Sequence, residues 1–165
     1  MSFTSMMIKS FQVATIVLAL ALMLAPSVEA APTLQSASVG RKMSGKSTWY
    51  YGNDISVPAC YGNIVHDYSI FVQDSWHIGA VHMDSYAGGQ RSTCFQCAKV
   101  THGQRSVIVR LIDHCPGCAP NHIDLTLGAF ESLASRDTGV IDIQYEFVAC
   151  PTGGSKWPSS PAPRS

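Results

Sequence analysis

The clearest periodicity in the chain lies near its end. In "GVIDIQYEFVAC" the apolar Ile141, Ile143, Tyr145, Phe147 and Ala149 alternate with Asp142, Gln144 and Glu146. Successive strand residues point to opposite faces, so this stretch reads as a half-buried antiparallel strand. "RSVIVRLID", Arg105 to Asp113, is β-branched and almost wholly apolar, as a strand covered on both faces is. "STWYY", "HIGAVHM" and "CAKVT" are shorter strand candidates. Helical spacing occurs once: Leu127, Phe130, Leu133 and Ala134 share a face of "LGAFESLA", with Thr126 placed to cap its start. The pattern predicts a mainly β domain, a closed barrel with one short helix.

The two ends follow other rules. Lys9 precedes an apolar run from Phe11 to Pro26, and small residues Val28 and Ala30 follow it. The run is shorter than the roughly 20 residues that span a bilayer. A weakly basic start, a short apolar centre and a small-residue exit predict a cleaved secretory signal over residues 1–30. Residues 31–46 are rich in Ser, Thr and Gly and read as a flexible arm. The Pro/Ser/Gly-rich residues 151–165 cannot build a core and read as a disordered tail. The folded domain is therefore expected over residues 47–150, in a secreted, extracellular protein with no membrane attachment after cleavage.

Charge narrows the partners. The chain has 11 Lys and Arg against 11 Asp and Glu, and no basic stripe, which excludes the electrostatic footprint of a nucleic-acid binder. Two C-x-x-C pairs, Cys94/Cys97 and Cys115/Cys118, have on their own the look of a zinc site. The secretory leader changes that reading. All 6 cysteines lie beyond it, and an even set in an oxidising compartment reads as disulfides. The histidines His66, His77, His82, His102, His114 and His122 show no i,i+4 or HExxH spacing. No metal and no cofactor are expected, and spacing alone leaves the disulfide pairing open.

Several motifs occur together in an order that resembles a known group. "STWYYG", "PACYGN", "CFQCAKV", "VIVRLIDHCPGCAPNHIDLTLGAFESLA" and the closing "GVIDIQYEFVAC" are similar to expansin-like double-psi β-barrels. That group includes the first domain of expansins, loosenin-like and barwin-like proteins, and rare lipoprotein A. The resemblance covers roughly Ser47 to Cys150. It implies a six-stranded double-psi β-barrel stapled by disulfides, with Cys60 bonded to Cys94, Cys97 to Cys150 and Cys115 to Cys118.

The resemblance also implies a site. The aspartate of the family's D-L-S or H-F-D element falls on Asp124, where related endoglucanases and lytic transglycosylases keep a catalytic acid. The first-strand threonine falls on Thr48, the aromatic after it on Tyr50, and the aspartate of the D-x-C-P turn on Asp113. His114, beside Asp113, is a further candidate contact, and Trp76 a candidate extension of an aromatic platform. The second aspartate of the endoglucanases falls on Gly52. Glycoside hydrolysis normally takes two carboxyl groups, one to protonate the leaving oxygen and one to activate water or attack the sugar. Asp54 replaces the missing one only if its loop re-aims it. The chain thus resembles the non-hydrolytic members, which bind and loosen a cell-wall polysaccharide such as cellulose or chitin. It is expected to act as a monomer.

Each candidate also has a plain structural reading. Asp124 precedes a helix and suits its N-terminus, Asp113 suits a tight turn, and Thr48 suits any strand. Two rival functions use the same barrel: a protein-binding effector or cysteine-protease inhibitor working through loops near Trp76 or Tyr86, and a lytic transglycosylase acting on peptidoglycan with one acid.

Overall fold

The computed structural model describes residues 39–152 and 156–157. The expected leader, half of the arm and most of the tail lie outside the described residues. The strands are β1 (Met43–Tyr50), β2 (Ile78–Val81), β3 (Cys97–His102), β4 (Arg105–His114), β5 (Ile123–Thr126) and β6 (Ile141–Val148). They close a barrel in the order β1-β5-β2-β4-β3-β6. Two neighbouring pairs, β1/β5 and β2/β4, run parallel, and the others are antiparallel.

The alternating segment is β6, with Ile141, Ile143, Tyr145 and Phe147 buried. Ala149 falls beyond its end and is exposed. β4 is the continuous apolar strand, buried without interruption from Val109 to Ile112. β1 starts at Met43, ahead of the expected boundary at Ser47, because Met43 to Lys46 pair with β6 from Tyr145 to Asp142. β5 was hidden in "NHIDLT". Four residues are too few for alternation to stand out, and the helix that follows them dominates the local pattern.

Two expectations about helices need correction. Among the described residues there are two short α-helices, α1 (Gly89–Thr93) and α2 (Leu127–Glu131). Thr126 precedes α2 but its side chain does not cap it. The hydroxyl is fully buried, donates to the Trp76 carbonyl and accepts from the Ile78 N–H at 3.2 Å. A buried hydroxyl needs partners, and β2 offers them closer than the helix does.

All six cysteines are paired, as Cys60–Cys94, Cys97–Cys150 and Cys115–Cys118. The pairing is the one the family resemblance implies, and it leaves none of the four C-x-x-C thiols for zinc. The first bridge pins the irregular segment between β1 and β2 to the strand-free stretch before β3. The second ties β3 to the chain just past β6. Part of the expected tail also docks: the His77 N–H donates to the Lys156 carbonyl at 2.6 Å, and Trp157 packs against the core. Tyr86, expected in a surface loop, is 1% exposed, and its hydroxyl meets that of Tyr145 at 2.8 Å. Loop chemistry at Tyr86 is thereby withdrawn from the protein-binding reading.

The barrel interior is closely filled at Gly79. A Cβ there would stand 2.9 Å from Leu111 Cδ2 and 3.0 Å from Ile123 Cγ2. Gly79 therefore faces the interior, where side chains of the flanking strands have closed over it. Gly79→Ala is expected to cost about 1–3 kcal/mol through overpacking. Urea unfolding would check this, and an unchanged midpoint would mean that the interior at this level is loose.

Candidate functional site

The barrel register builds one polar row. Thr48 on β1 is opposite Asp124 on β5, Asp124 is opposite Ala80 on β2, and Ala80 is opposite Asp113 on β4. Because Gly79 points inward, Ala80 points outward. Asp124 also points outward, between the buried Ile123 and Leu125. Four strands thus present Thr, Asp, Ala and Asp side by side, with only a methyl group between the carboxylates.

A bulge completes the row. β2 and β4 pair Gly79 with Leu111 but Ala80 with Asp113, so Ile112 is the extra residue. Without that insertion Ile112 would stand opposite Ala80. Bulges commonly re-aim a side chain beside a functional site. Here the bulge buries Leu111 and Ile112 in succession and turns Asp113 to the polar face.

Thr48 Oγ1 donates to Asp124 Oδ1 at 2.6 Å and lies 2.8 Å from His122 Nε2. The hydroxyl has one proton. With that proton given to Asp124, it accepts from His122 Nε2, which places the imidazole proton on that nitrogen. Asp113 Oδ1 accepts two backbone N–H groups, from Ala59 and His114, each at 2.9 Å. Asp113 therefore anchors the β1–β2 segment to the end of β4 as well as facing the row.

Burial pushes both carboxyl groups above the ordinary aspartate range. For Asp124 it outweighs the opposing hydrogen bond from Thr48 and the charge of His122. For Asp113 it outweighs the two N–H donors. Tyr50 is pushed far up as well, first by burial and then by the negative charges of Asp113 and Asp124. Its hydroxyl is buried with no protein hydrogen-bond partner. Its polar end is thus shut in beside the two carboxyl groups, whereas the exposed ring of the aromatic run is Tyr51, edge-on to Trp49 at 5.1 Å. Trp49 is held by its Nε1–H, which donates to the Arg136 carbonyl at 3.0 Å.

The other candidates are placed as follows. His114 is the last residue of β4, and its Nδ1 accepts from the Met83 N–H at 3.2 Å. Its Nε2 is 3.9 Å from Asp84 and its ring 5.6 Å from that of His82. It flanks Asp113 but is turned toward the turn after β2. Trp76 is half-buried and packs against the core. Asp54 is exposed in a turn. At Gly52 a Cβ would lie 2.7 Å from the Gln73 carbonyl oxygen, so no carboxylate fits where the endoglucanases keep theirs. His122 was missed because the histidines were tested against metal spacings alone. "HID" puts His122 and Asp124 two residues apart, on one face of an extended chain.

The closed mixed barrel with its three disulfides is an expansin-like double-psi β-barrel, and the chain belongs to that family, which also takes in rare lipoprotein A. The family model described as lytic transglycolase matches residues 70–145. The papain inhibitor of Streptomyces mobaraensis is 32% identical over 124 residues, 74% of this chain and 82% of that protein. The solved Streptomyces papain inhibitor is 27% identical, with 67% of this chain and 97% of that one covered at a TM-score of 0.54. An expansin of Clavibacter michiganensis, solved as a variant in complex with cellohexaose, is also 27% identical. That match has a TM-score of 0.54 and covers 68% of this chain but only 53% of the expansin, so the chain spans about half of its length.

The raised carboxyl groups set a pH dependence. A carboxyl whose folded pKa lies above its unfolded value takes up protons on folding, so its stabilising contribution is lost as pH rises through the folded value. Removing one such charge should therefore stabilise the fold near neutral pH. Asp124→Asn, which keeps an oxygen for Thr48, is expected to raise Tm near neutral pH. The gain should vanish as pH falls toward about 4, the ordinary aspartate range. Thermal melts of both proteins across pH would show it; a variant equally or less stable near neutral pH would refute the buried-charge account.

Proposed function

We propose that the protein is secreted and binds a cell-wall polysaccharide along the Thr48–Asp124–Asp113 row without hydrolysing it. The observation that carries this reading is the row itself, Thr48, Asp124 and Asp113 set side by side across four strands with only Ala80 between the two carboxyl groups. Sugar hydroxyls donate as well as accept, so they can donate to the carboxylate oxygens. Tyr51, the exposed ring of the aromatic run, adds an apolar face for pyranose C–H groups. The cellohexaose complex of the Clavibacter expansin supports a β-glucan as ligand class. The blocked space at Gly52 supports the non-hydrolytic part. The three disulfides support an oxidising, extracellular compartment.

The test is retention on insoluble cellulose, chitin and peptidoglycan. Asp124→Asn is expected to weaken retention roughly tenfold or more, the scale of one hydrogen bond to a charged group. Tyr50→Phe, which removes a buried hydroxyl without a protein partner, is expected to raise Tm and to leave retention unchanged. Equal retention by all three proteins would remove the row from the binding site. Reducing-sugar release that Asp124→Asn and Asp113→Asn both abolish would make Asp113 the missing base and the protein a hydrolase. Anhydro-sugar products from peptidoglycan would make it a transglycosylase.

The 32% identical papain inhibitor favours a second reading, in which the same barrel holds a cysteine protease. The β1–β2 segment carries the exposed aromatics suited to a protein surface, Tyr68 at 63% and Phe71 at 66% exposure. Under this reading the protein inhibits papain, Tyr68→Ala/Phe71→Ala lowers inhibition at least tenfold, and Asp124→Asn leaves it intact. Absence of papain inhibition at micromolar concentration would close this alternative.

A further inference from the structure

The three disulfides differ in what they hold. Cys60–Cys94 and Cys97–Cys150 join residues 34 and 53 positions apart, and in each one cysteine is fully enclosed, Cys60 at 0% and Cys97 at 1% exposure. Cys115–Cys118 closes a loop with a separation of 3. Its two cysteines are half-buried, Pro116 and Gly117 between them are exposed, and a side chain added at Gly117 would meet nothing within 4 Å. Constraint of the unfolded chain grows with loop length, so this bridge contributes least to holding the fold. Barrel stability does not explain its presence.

Its position suggests another task. The loop joins β4 to β5, the two strands that carry the site's carboxyl groups. Cys115 follows Asp113 and His114 directly, and Cys118 leads through Asn121 and His122 to Asp124. The Cys115 N–H donates to the Val81 carbonyl at 3.0 Å, the last bond holding the end of β4 on β2. Within the turn, the Cys118 N–H donates to the Cys115 carbonyl at 3.2 Å, and the His122 N–H to the Ala119 carbonyl at 3.0 Å. These backbone bonds act within the turn together with the bridge, and the end of the turn is held from outside, where Asn121 Oδ1 accepts from the Tyr145 hydroxyl at 3.1 Å.

We infer that Cys115–Cys118 is a thiol–disulfide exchange site, reduced reversibly in the native protein by a dithiol, and that its redox state sets how firmly Asp113 and Asp124 are held. A thiolate of the reductant attacks one of the two sulfurs and forms a mixed disulfide, and the other cysteine leaves as a thiolate. The reductant's second thiolate then attacks its own sulfur in that mixed disulfide and releases the second protein thiolate. Two electrons pass to the protein, the reductant closes as a disulfide, and the protein thiolates take up the two protons that the reductant thiols gave. Native-state attack is feasible here because both cysteines are half-buried and flank an exposed Pro116–Gly117, whereas each other bridge has one half-buried cysteine, Cys94 or Cys150, and its opening must uncover an enclosed one. Exposed disulfides are the labile ones. The inference does not depend on which ligand the row binds.

Graded dithiothreitol at neutral pH on the folded protein, quenched with iodoacetamide and mapped by peptide, tests the first part. Cys115 and Cys118 are expected to be alkylated at least tenfold faster than the other four. Labelling of Cys94 or Cys150 first, or of all six together, would overturn it. Amide exchange on the oxidised and selectively reduced protein tests the second part. Exchange at His114, Cys115 and His122 is expected to speed up about tenfold or more, with Val100 and Tyr145 unchanged. Unchanged exchange at all five amides would limit the bridge to an inert clip. Cys115→Ser/Cys118→Ser, which keeps both other bridges, should reproduce the reduced exchange pattern in a folded barrel. If that variant does not fold, the chemically reduced protein decides.

Discussion

One misaligned rung governs the site. β2 and β4 run parallel and would pair Ala80 with Ile112 were the ladder regular, but Ile112 is inserted and Asp113 takes its place. A one-residue slip exchanges the two faces of a strand. With a regular ladder, Asp113 would be carried past the row and an isoleucine would face the water. Gly79 is the other half of this arrangement. It takes no space where Leu111, Ile123 and Val109 converge, which lets β2 approach both neighbours closely. The apolar interior and the polar row are thus set by the same two residues of β2, one inward and without a side chain, one outward and nearly so.

The same arrangement explains why the row is electrostatically costly. Ala80 neither solvates nor neutralises the carboxyl groups on either side of it. Their Cα atoms are roughly 10 Å apart, two strand spacings, and the hydroxyl of Tyr50 senses the charge of both. What offsets the burial is local: Thr48 and the charge of His122 for Asp124, two backbone N–H groups for Asp113. These donors do not cancel the desolvation, since both pKa values remain raised. Perturbed groups of this kind also arise in structural networks. Here, however, Asp124 anchors nothing beyond Thr48, so stability gives no reason for its placement.

Legibility in the sequence followed element length and pattern strength. β6 alternates over eight residues and β4 is apolar over most of ten, and both were plain. β5 has four residues, and only the family resemblance pointed to its aspartate. The capping role of Thr126 failed because sequence spacing ranks local partners, while its true partners, Trp76 and Ile78, lie some fifty positions away, just before and at the start of β2. The disulfide pairing was out of reach of spacing for the same reason, and followed from the resemblance. Thr48 and Asp124 could be named from motifs, but not their direct contact, which needs the parallel register of β1 and β5. His122 was legible in principle from its spacing to Asp124. The bulge was not, since nothing in "RLIDH" marks Ile112 as the inserted residue.

Gly52 bears on the chemistry more than any residue of the row. An absent carboxylate can reflect mere drift, with an open space left behind. Here the space is filled: the Gln73 carbonyl and Val72 stand where a side chain would begin, and the Val72 N–H donates to Ile55 across the same fold of the segment. The β1–β2 segment has closed over the position. A base could not be restored there by one substitution without moving backbone that Cys60–Cys94 and the Ala59–Asp113 bond hold in place. Under the proposed reading, then, the loss of hydrolysis and the anchoring of Asp113 have one origin. The segment that excludes a second acid is the segment that the remaining carboxyl group ties down, which leaves Asp124 as the acid of the row with neither carboxyl oxygen engaged by the backbone.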